Sequence, residues 1–526
     1  ESCPKAPSSP GQTGASHGSD HHRQTHSGTT PGRYPIPQRH RERRQPTPHP
    51  FWLFWILAGI LAVLSLVLSV MGVGVNDPGT GEWTPVNNLL SGDGIAMAVS
   101  TSLDAYQSFP PLITIMVVIM GVALAERTGL LSTAMKVSIA RVPASLIVFT
   151  VAFMGTVSHV ASAAAYVILV PLGGMVFKAV GRSPVLGVIV AYTSIASGYD
   201  ASPIPTPNDA IFAGITSAAA HIIDPDYLVT PIGNWYFNIA SSILLAIVIT
   251  IVTELVLTKR QNLEADEDAE HEDLVITDRE RSALRYSMFA VIAMLLFVVV
   301  LVVPDNAPLR GDGPIGESPF LTGIAFIIAM LFGVGGMVYG FREGTIEKFA
   351  DVPKLMSQGI VSMAPVLVLF FAIAQFLEYF EWTNIGMLVS VSSSELFTGL
   401  GLPTWVIFIL VLLVLSVVNV LITSGSAMWA IMAPVIVPML MLLDVPPETS
   451  QAIFRIADSG STAITPMSPY FILALGFMQR YQKSAGIGTL ASHTLPLAVC
   501  MTLMWSLLFF LWWGLGIPLG PDAPVR

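Results

Sequence analysis

SHVASAAAYVILVP (Ser158–Pro171) and ITSGSAMWAIMAP (Ile422–Pro434) lie in opposite halves of the 526-residue chain and share one pattern. Both are apolar and rich in small residues, and each sets a single aromatic, Tyr166 or Trp429, five residues before a proline. Each is followed by an interrupted stretch holding an aspartate: SGYDASPIPTPND (Ser197–Asp209) and ADSGSTAITPMSP (Ala457–Pro469). Paired Gly/Pro-interrupted apolar segments at corresponding places in two halves are the sequence mark of a secondary transporter's binding site. Irregular backbone at membrane depth is tolerated only where it is buried in protein or lines a wet cavity. The pattern therefore predicts two membrane-embedded hairpins, residues 158–178 and 423–444, that enter from opposite sides and meet near mid-bilayer.

The rest of the composition agrees with a core in lipid. Hydrophobic residues make up 53% of the chain and charged residues 11%, less than half the charge of ordinary soluble domains, about 25%. Apolar runs of the length that spans a bilayer, about 20 residues, recur at Trp52–Val75, Trp235–Leu257, Met288–Val303, Leu321–Val338, Trp405–Ile422 and Thr494–Leu515. The two cysteines, Cys3 and Cys500, form neither a disulfide framework nor a metal cluster.

Four regions follow from this patterning. Residues 1–50 are polar and rich in Pro, Ser, Thr and His, which predicts a disordered tail. RHRERR (Arg39–Arg44) precedes the first apolar run, so the excess of basic residues in cytoplasmic loops places that tail in the cytoplasm. Residues 51–260 make a first membrane half, 261–284 an acidic cytoplasmic connector, and 285–526 a second half. FPPLITIMVVIMGVALAERTGL (Phe109–Leu130) and MAPVLVLFFAIAQFLEYFEWTNIG (Met363–Gly386) each begin near a proline and lead into a signature segment. Basic residues follow the first and acids the second, so the halves read as inverted repeats.

A charge at the bilayer centre costs about 2.5–3.5 kcal/mol even on insertion scales, so acids inside these segments are functional candidates. Asp200, Asp209 and Asp458 qualify, and His159 is the one histidine of the signature segments. Each also has a structural reading: Asp458 pairing with Arg455 a turn away, and Asp209 capping the helix that follows it. Ser158, Ser162, Ser424 and Ser426 are of the type that supplies neutral oxygen ligands, or that lets helices pack closely. Prolines 171, 203, 205, 207, 434, 438, 466 and 469 interrupt apolar sequence, at about 3 kcal/mol for each in a helix interior. No filter motif of a channel and no nucleophile–base pair or HExxH metal motif of an enzyme is present. The expectation is a transporter without a cofactor or a nucleic-acid partner.

VGVNDPGTGEWTPVNNLLSGDGI, GVALAERTGL, AIAQFLEYFEWTNIG, SAMWAIMAPVIVPML and RIADSGSTAITPMSPYFILALGFMQRYQK carry a specific likeness. Over residues 51–515 the chain resembles the p-aminobenzoyl-glutamate transporter (AbgT) family. The resemblance implies an all-α polytopic protein of the cell inner membrane, with about nine transmembrane helices and two re-entrant hairpins in inverted repeats. It further implies a homodimer with a fold similar to divalent-anion/sodium symporters. The implied activity is ion-gradient-driven transport of p-aminobenzoyl-glutamate-like compounds or export of sulfonamides; a sodium-coupled dicarboxylate carrier is the alternative. Positions matched to the family's functional residues are Asn419, Trp429, Pro447, Asp458 and Pro466 in the second half and Asp209 in the first.

The substrate set expected is Asn419, Trp429, Asp458, Pro447, Pro466, Tyr166, Ser424 and Ser426. The ion-coupling set is Asp209, Asp458, Asp200, His159, Ser158 and Ser162, with a sodium site near Asn419 and Asp458 as the alternative. The chain departs from the pattern SNTASDxGY at the first hairpin, where it reads SHVASAAAY, and it carries Asp200-Ala201-Ser202 and Met428 in place of an expected SAN-type segment and lysine. Neutral oxygen ligands are lost and the titratable groups His159 and Asp200 gained, so a proton is expected as the coupling ion rather than sodium.

Overall fold

The computed structural model describes residues 50–526 except 77, 79–80, 141, 261–262, 267–275, 305 and 312–317. The expected tail thus lies outside the described residues up to Pro50, which opens the first helix. The described chain is helical apart from one short antiparallel pair. In order, α1 (Pro50–Val70) leads through β1 (Gly74–Asn76) and β2 (Trp83–Pro85) to α2 (Gly92–Ser100) and α3 (Ser102–Gln107). Then come α4 (Pro110–Arg127), α5 (Leu130–Ala140), α6 (Ile147–Val157), α7 (Ala164–Ala179), α8 (Pro184–Ala196), α9 (Pro207–Ala220) and α10 (Trp235–Leu255). α11 (Asp278–Val302), α12 (Pro319–Thr322) and α13 (Ile324–Glu343) intervene. The second series is α14 (Asp351–Trp382), α15 (Ile385–Gly399), α16 (Thr404–Leu421), α17 (Gly425–Met441), α18 (Pro447–Thr462), α19 (Pro469–Gln479) and α20 (Ile487–Leu515).

By length and composition, eight helices among the described residues suit a membrane crossing. α1 and α11 carry exposed Ile, Leu, Val and Phe along most of their length, the dress of helices that meet lipid. The end of the acidic stretch belongs to α11. Thr277 caps α11 in a reciprocal capping box with Glu280, so Asp278–Leu284 form its first turns.

The prolines sort into three kinds. Pro184, Pro207, Pro447 and Pro469 open helices at the first turn, where a missing N–H costs nothing. Pro203, Pro205 and Pro466 lie between helices. Pro171, Pro434 and Pro438 lie in helix interiors, in α7 and α17, as do Pro365 in α14 and Pro496 in α20.

The same order of seven helices, α4–α10 and α14–α20, recurs in the two halves. Each signature segment forms the turn and returning limb of a hairpin whose entering limb is the helix before it. In the first, α6 and α7 flank α8. A Cβ at Gly155 would stand 1.9 Å from Ser194 Oγ, and one at Gly173 would stand 2.6 Å from the Gly187 carbonyl. In the second, Asn419 of α16 bonds the end of α18, and Trp429 of α17 stacks on Phe454 of α18. The hairpins therefore span α6–α7 and α16–α17, longer than the predicted 158–178 and 423–444. An entering limb reads in sequence as an ordinary apolar helix.

Beyond each break the chain crosses to the other half. α9 packs on α17 and α18, with Thr216 accepting from Trp429 Nε1 at 2.9 Å and Phe212 edge-on to Phe454. Reciprocally, α19 packs on α7 and α8 through Tyr470 against Tyr166 and Phe471 against Tyr192.

Candidate functional site

Both breaks, 197–206 and 463–468, sit at the C-terminal ends of α8 and α18, where each hairpin turn also arrives. Four ionisable side chains gather here with almost no exposure: Asp200 at 3%, Asp209 at 3%, Asp458 at 2% and Arg455 at 1%. A buried ion persists only when paired and hydrogen-bonded. Arg455 is: its Nη2 lies 2.7 Å from Asp209 Oδ1, its Nε donates to Asn234 Oδ1 at 3.1 Å, and its Nη1 donates to the Asp200 carbonyl at 3.3 Å. Its guanidinium also lies over the Phe212 ring, 5.5 Å from the centroid. The partner of Arg455 is thus Asp209 from the other half, not Asp458 a turn away.

Asp209 serves two structures at once. As the third residue of α9 its Oδ2 accepts from the Thr206 N–H and hydroxyl, both at 2.7 Å, while Oδ1 meets Arg455. The N-cap is thus Thr206 rather than Asp209, whose carboxylate completes the capping box and also pairs with Arg455.

Asp458 belongs to the last turns of α18, inside the helix rather than in the break. Its carboxylate lies at the start of α17, where a Cβ on Gly425 would stand 2.6 Å from Oδ2. Ser424, the N-cap residue there, makes no side-chain cap bond, so first-turn N–H groups of α17 stay available near the acid. Asn419 donates to the Asp458 carbonyl and, at 2.7 Å, to Ser461 Oγ.

Several polar atoms of the region lack partners. Both carboxylate oxygens of Asp200, Nε2 of His159, the hydroxyls of Tyr166, Ser197 and Ser459, and Oδ1 of Asn419 are buried and make no hydrogen bond. Each such group costs roughly 1–3 kcal/mol relative to a bonded one. Their clustering at two hairpin turns and two breaks marks a site shaped for something else to bond.

The other expected residues divide. His159 is edge-on to Tyr199, centroids 5.3 Å apart, and Tyr166 lies parallel to Tyr470 at 4.1 Å. Ser158 donates to the Gly155 carbonyl at 2.7 Å and so serves the turn. Ser162 holds the turn at φ +46°, a conformation glycine favours. Ser424 and Ser426 are half-buried beside the α17 start. Pro466 lies in the second break. Pro447 does not join them: it opens α18 eleven residues before Asp458, about 16 Å away along a helix. Trp429 is fully buried between Phe454 and its bond to Thr216.

Sequence reasoning passed over Tyr470, Asn234 and Tyr199, and treated Arg455 only as a neighbour of Asp458. Tyr470 had a signal, an aromatic directly after the proline that restarts the helix; Asn234 had none.

Interrupted apolar helices around a buried polar centre are the architecture of a polytopic membrane transporter. The chain belongs to the AbgT family: residues 43–526 match the model described as "AbgT putative transporter family". It is 35% identical over 481 residues to the p-aminobenzoyl-glutamate transport protein of Escherichia coli K12, covering 91% of this chain and 94% of that one. The YdaH transporter of Alcanivorax borkumensis superposes with a TM-score of 0.86 at 37% identity, over 90% of this chain and 100% of that chain. MtrF of Neisseria gonorrhoeae, described within a class of antimetabolite efflux pumps, also superposes at 0.86, with 35% identity over 91% of this chain and 98% of that one.

Proposed function

We propose that this protein is a gradient-driven secondary transporter of p-aminobenzoyl-glutamate and related folate-pathway aromatic amides, including sulfonamide antimetabolites. The observation that carries it is the buried cluster of unpartnered polar atoms enclosed by the hairpin turns, Asp200, Asn419, Ser459 and Tyr166 among them. Such a cluster suits a ligand with an amide, carboxylates and a ring. The names borne by the E. coli and N. gonorrhoeae relatives point to the same chemistry.

Charge accounting supports a coupling ion. The region holds three buried carboxylates, Asp200, Asp209 and Asp458, and one guanidinium, Arg455, which pairs with Asp209. Uncompensated charge in such a medium costs many kcal/mol, so the site calls for protons or a cation. His159 and Asp200 replace neutral ligands in the first half, which favours protons over sodium. The repeated helix order and the reciprocal crossing of α9 and α19 favour inverted repeats, about nine crossings with two re-entrant hairpins, and a fold like that of divalent-anion/sodium symporters. A homodimer in the inner membrane with a cytoplasmic N-terminus completes the reading.

The test is uptake by purified protein in liposomes of labelled p-aminobenzoyl-glutamate, with sulfonamide and succinate as competitors. Saturable uptake inhibited by sulfonamide supports the reading. Uptake of succinate, with p-aminobenzoyl-glutamate ignored, would overturn it in favour of a dicarboxylate carrier.

A further inference from the structure

We propose that Tyr470, at the start of α19, is the platform on which the aromatic ring of the transported molecule stacks, extending the Tyr166–Tyr470 pair to three rings. The inference deepens the substrate reading above and rests on it for the ring's chemistry. Trp429, the aromatic first expected in this role, is closed: its exposure is 0%, Phe454 covers one face at 4.5 Å, and Nε1 is spent on Thr216. Tyr470 is the opposite case. One face lies flat on Tyr166, 4.1 Å between centroids and 4° between planes, and the residue as a whole is only half-buried.

We take the exposed part of Tyr470 to face water rather than lipid, because of the backbone that precedes it. The break before it, 463–468, is irregular backbone, and within it Pro466 and Met467 are exposed, Met467 to 41%. Irregular backbone at membrane depth is not presented to hydrocarbon, so an exposed break opens on a water-filled cavity. Ala163 at the first hairpin turn and Pro469 at the helix start are exposed as well. A ring entering from that cavity finds a flat aromatic surface held rigidly by a second one.

The groups behind the platform suit the rest of such a ligand. The Tyr166 hydroxyl is buried without a partner, and the Tyr166 ring neighbours those of Tyr192 and Tyr470. Asn419 Oδ1 and Ser459 Oγ are also unpartnered, and the Asn419 amide bonds the Asp458 carbonyl. A ring on Tyr470 would place its amide or amine substituents toward these atoms. Tyr470 is then a specificity residue: it selects for aromatic character, while the polar cluster reads what the ring carries.

The experiment compares wild type, Tyr470→Ala and Tyr470→Phe as purified full-length protein, by calorimetric binding of p-aminobenzoyl-glutamate, a sulfonamide and N-acetyl-glutamate. Stacking alone corresponds to about a three- to tenfold change in affinity. The expected result is that Tyr470→Ala weakens both aromatic probes by that factor and leaves N-acetyl-glutamate binding unchanged, while the unfolding midpoint falls because the Tyr166 face is uncovered. Tyr470→Phe, which keeps the ring, should bind like wild type. Equal losses for all probes in Tyr470→Ala, or no loss for the aromatic ones, would overturn the inference. Wild type that binds sulfonamide but not p-aminobenzoyl-glutamate would refute the p-aminobenzoyl-glutamate part of the substrate reading, and the sulfonamide arm would still decide the role of Tyr470.

Discussion

Asp209→Asn tests whether the two halves are held together through one buried ion pair. The substitution removes the charge facing Arg455 at 2.7 Å and leaves a guanidinium that is 1% exposed. Breaking a buried pair from one side costs about 3–5 kcal/mol. Three contacts moderate the loss: Asn234 Oδ1, the Asp200 carbonyl and the Phe212 face all remain. An asparagine oxygen can still accept from Thr206, so the helix cap contributes less than about 1 kcal/mol to the change. The expected cost is thus near the lower end, about 3 kcal/mol. Arg455→Met should cost a similar amount by stranding Asp209. The double variant strands neither charge, so its cost should fall short of the sum by about 2 kcal/mol or more. Denaturant unfolding of the four proteins in detergent measures this cycle. Additive costs, within about 0.5 kcal/mol, would show that Arg455 and Asp209 do not act as a pair.

Trp429→Ala should destabilise the protein by about 3–5 kcal/mol, the cost of emptying a fully buried aromatic site, and should reduce uptake of aromatic and aliphatic ligands alike. Ser162 sits at φ +46°, so Ser162→Gly should raise the unfolding midpoint, whereas Ser162→Val should lower stability by about 1–3 kcal/mol. At Gly425 a methyl would stand 2.6 Å from Asp458 Oδ2. Gly425→Ala should therefore fold, by size-exclusion elution and unfolding midpoint, yet take up substrate at about a tenth of the wild-type rate or less, since displacements of about 1 Å suffice to disrupt positioned groups.

Much of the fold was legible because the bilayer imposes simple length and polarity rules. The spans, the two hairpin turns and the two breaks all announce themselves through apolar runs, small residues and prolines. α18 is the instructive failure. PETSQAIFRIADSGST has the polarity of a surface helix, yet nearly all of it is buried. Two of its polar residues bond partners more than two hundred positions away: Gln451 with Thr216, and Arg455 with Asp209 and Asn234. Local spacing carries no trace of such pairings, so Arg455 was first set against Asp458, its neighbour in sequence. Trp429 was recognisable as special, but whether its ring was open or closed depended on Phe454 across the hairpin. Tyr470 owes its role to the crossing of α19 onto α7, which only the assembled halves reveal.

The most direct test of the account is the driving ion, read together with Asp458. Proteoliposomes holding wild type or Asp458→Asn would be given either an imposed pH gradient without sodium or an imposed sodium gradient at equal pH, and accumulation of labelled p-aminobenzoyl-glutamate followed. The account predicts accumulation with the pH gradient alone in wild type and none in Asp458→Asn, which cannot carry a proton on that side chain. Accumulation that requires sodium and ignores the pH gradient, or full gradient-driven activity in Asp458→Asn, would contradict it.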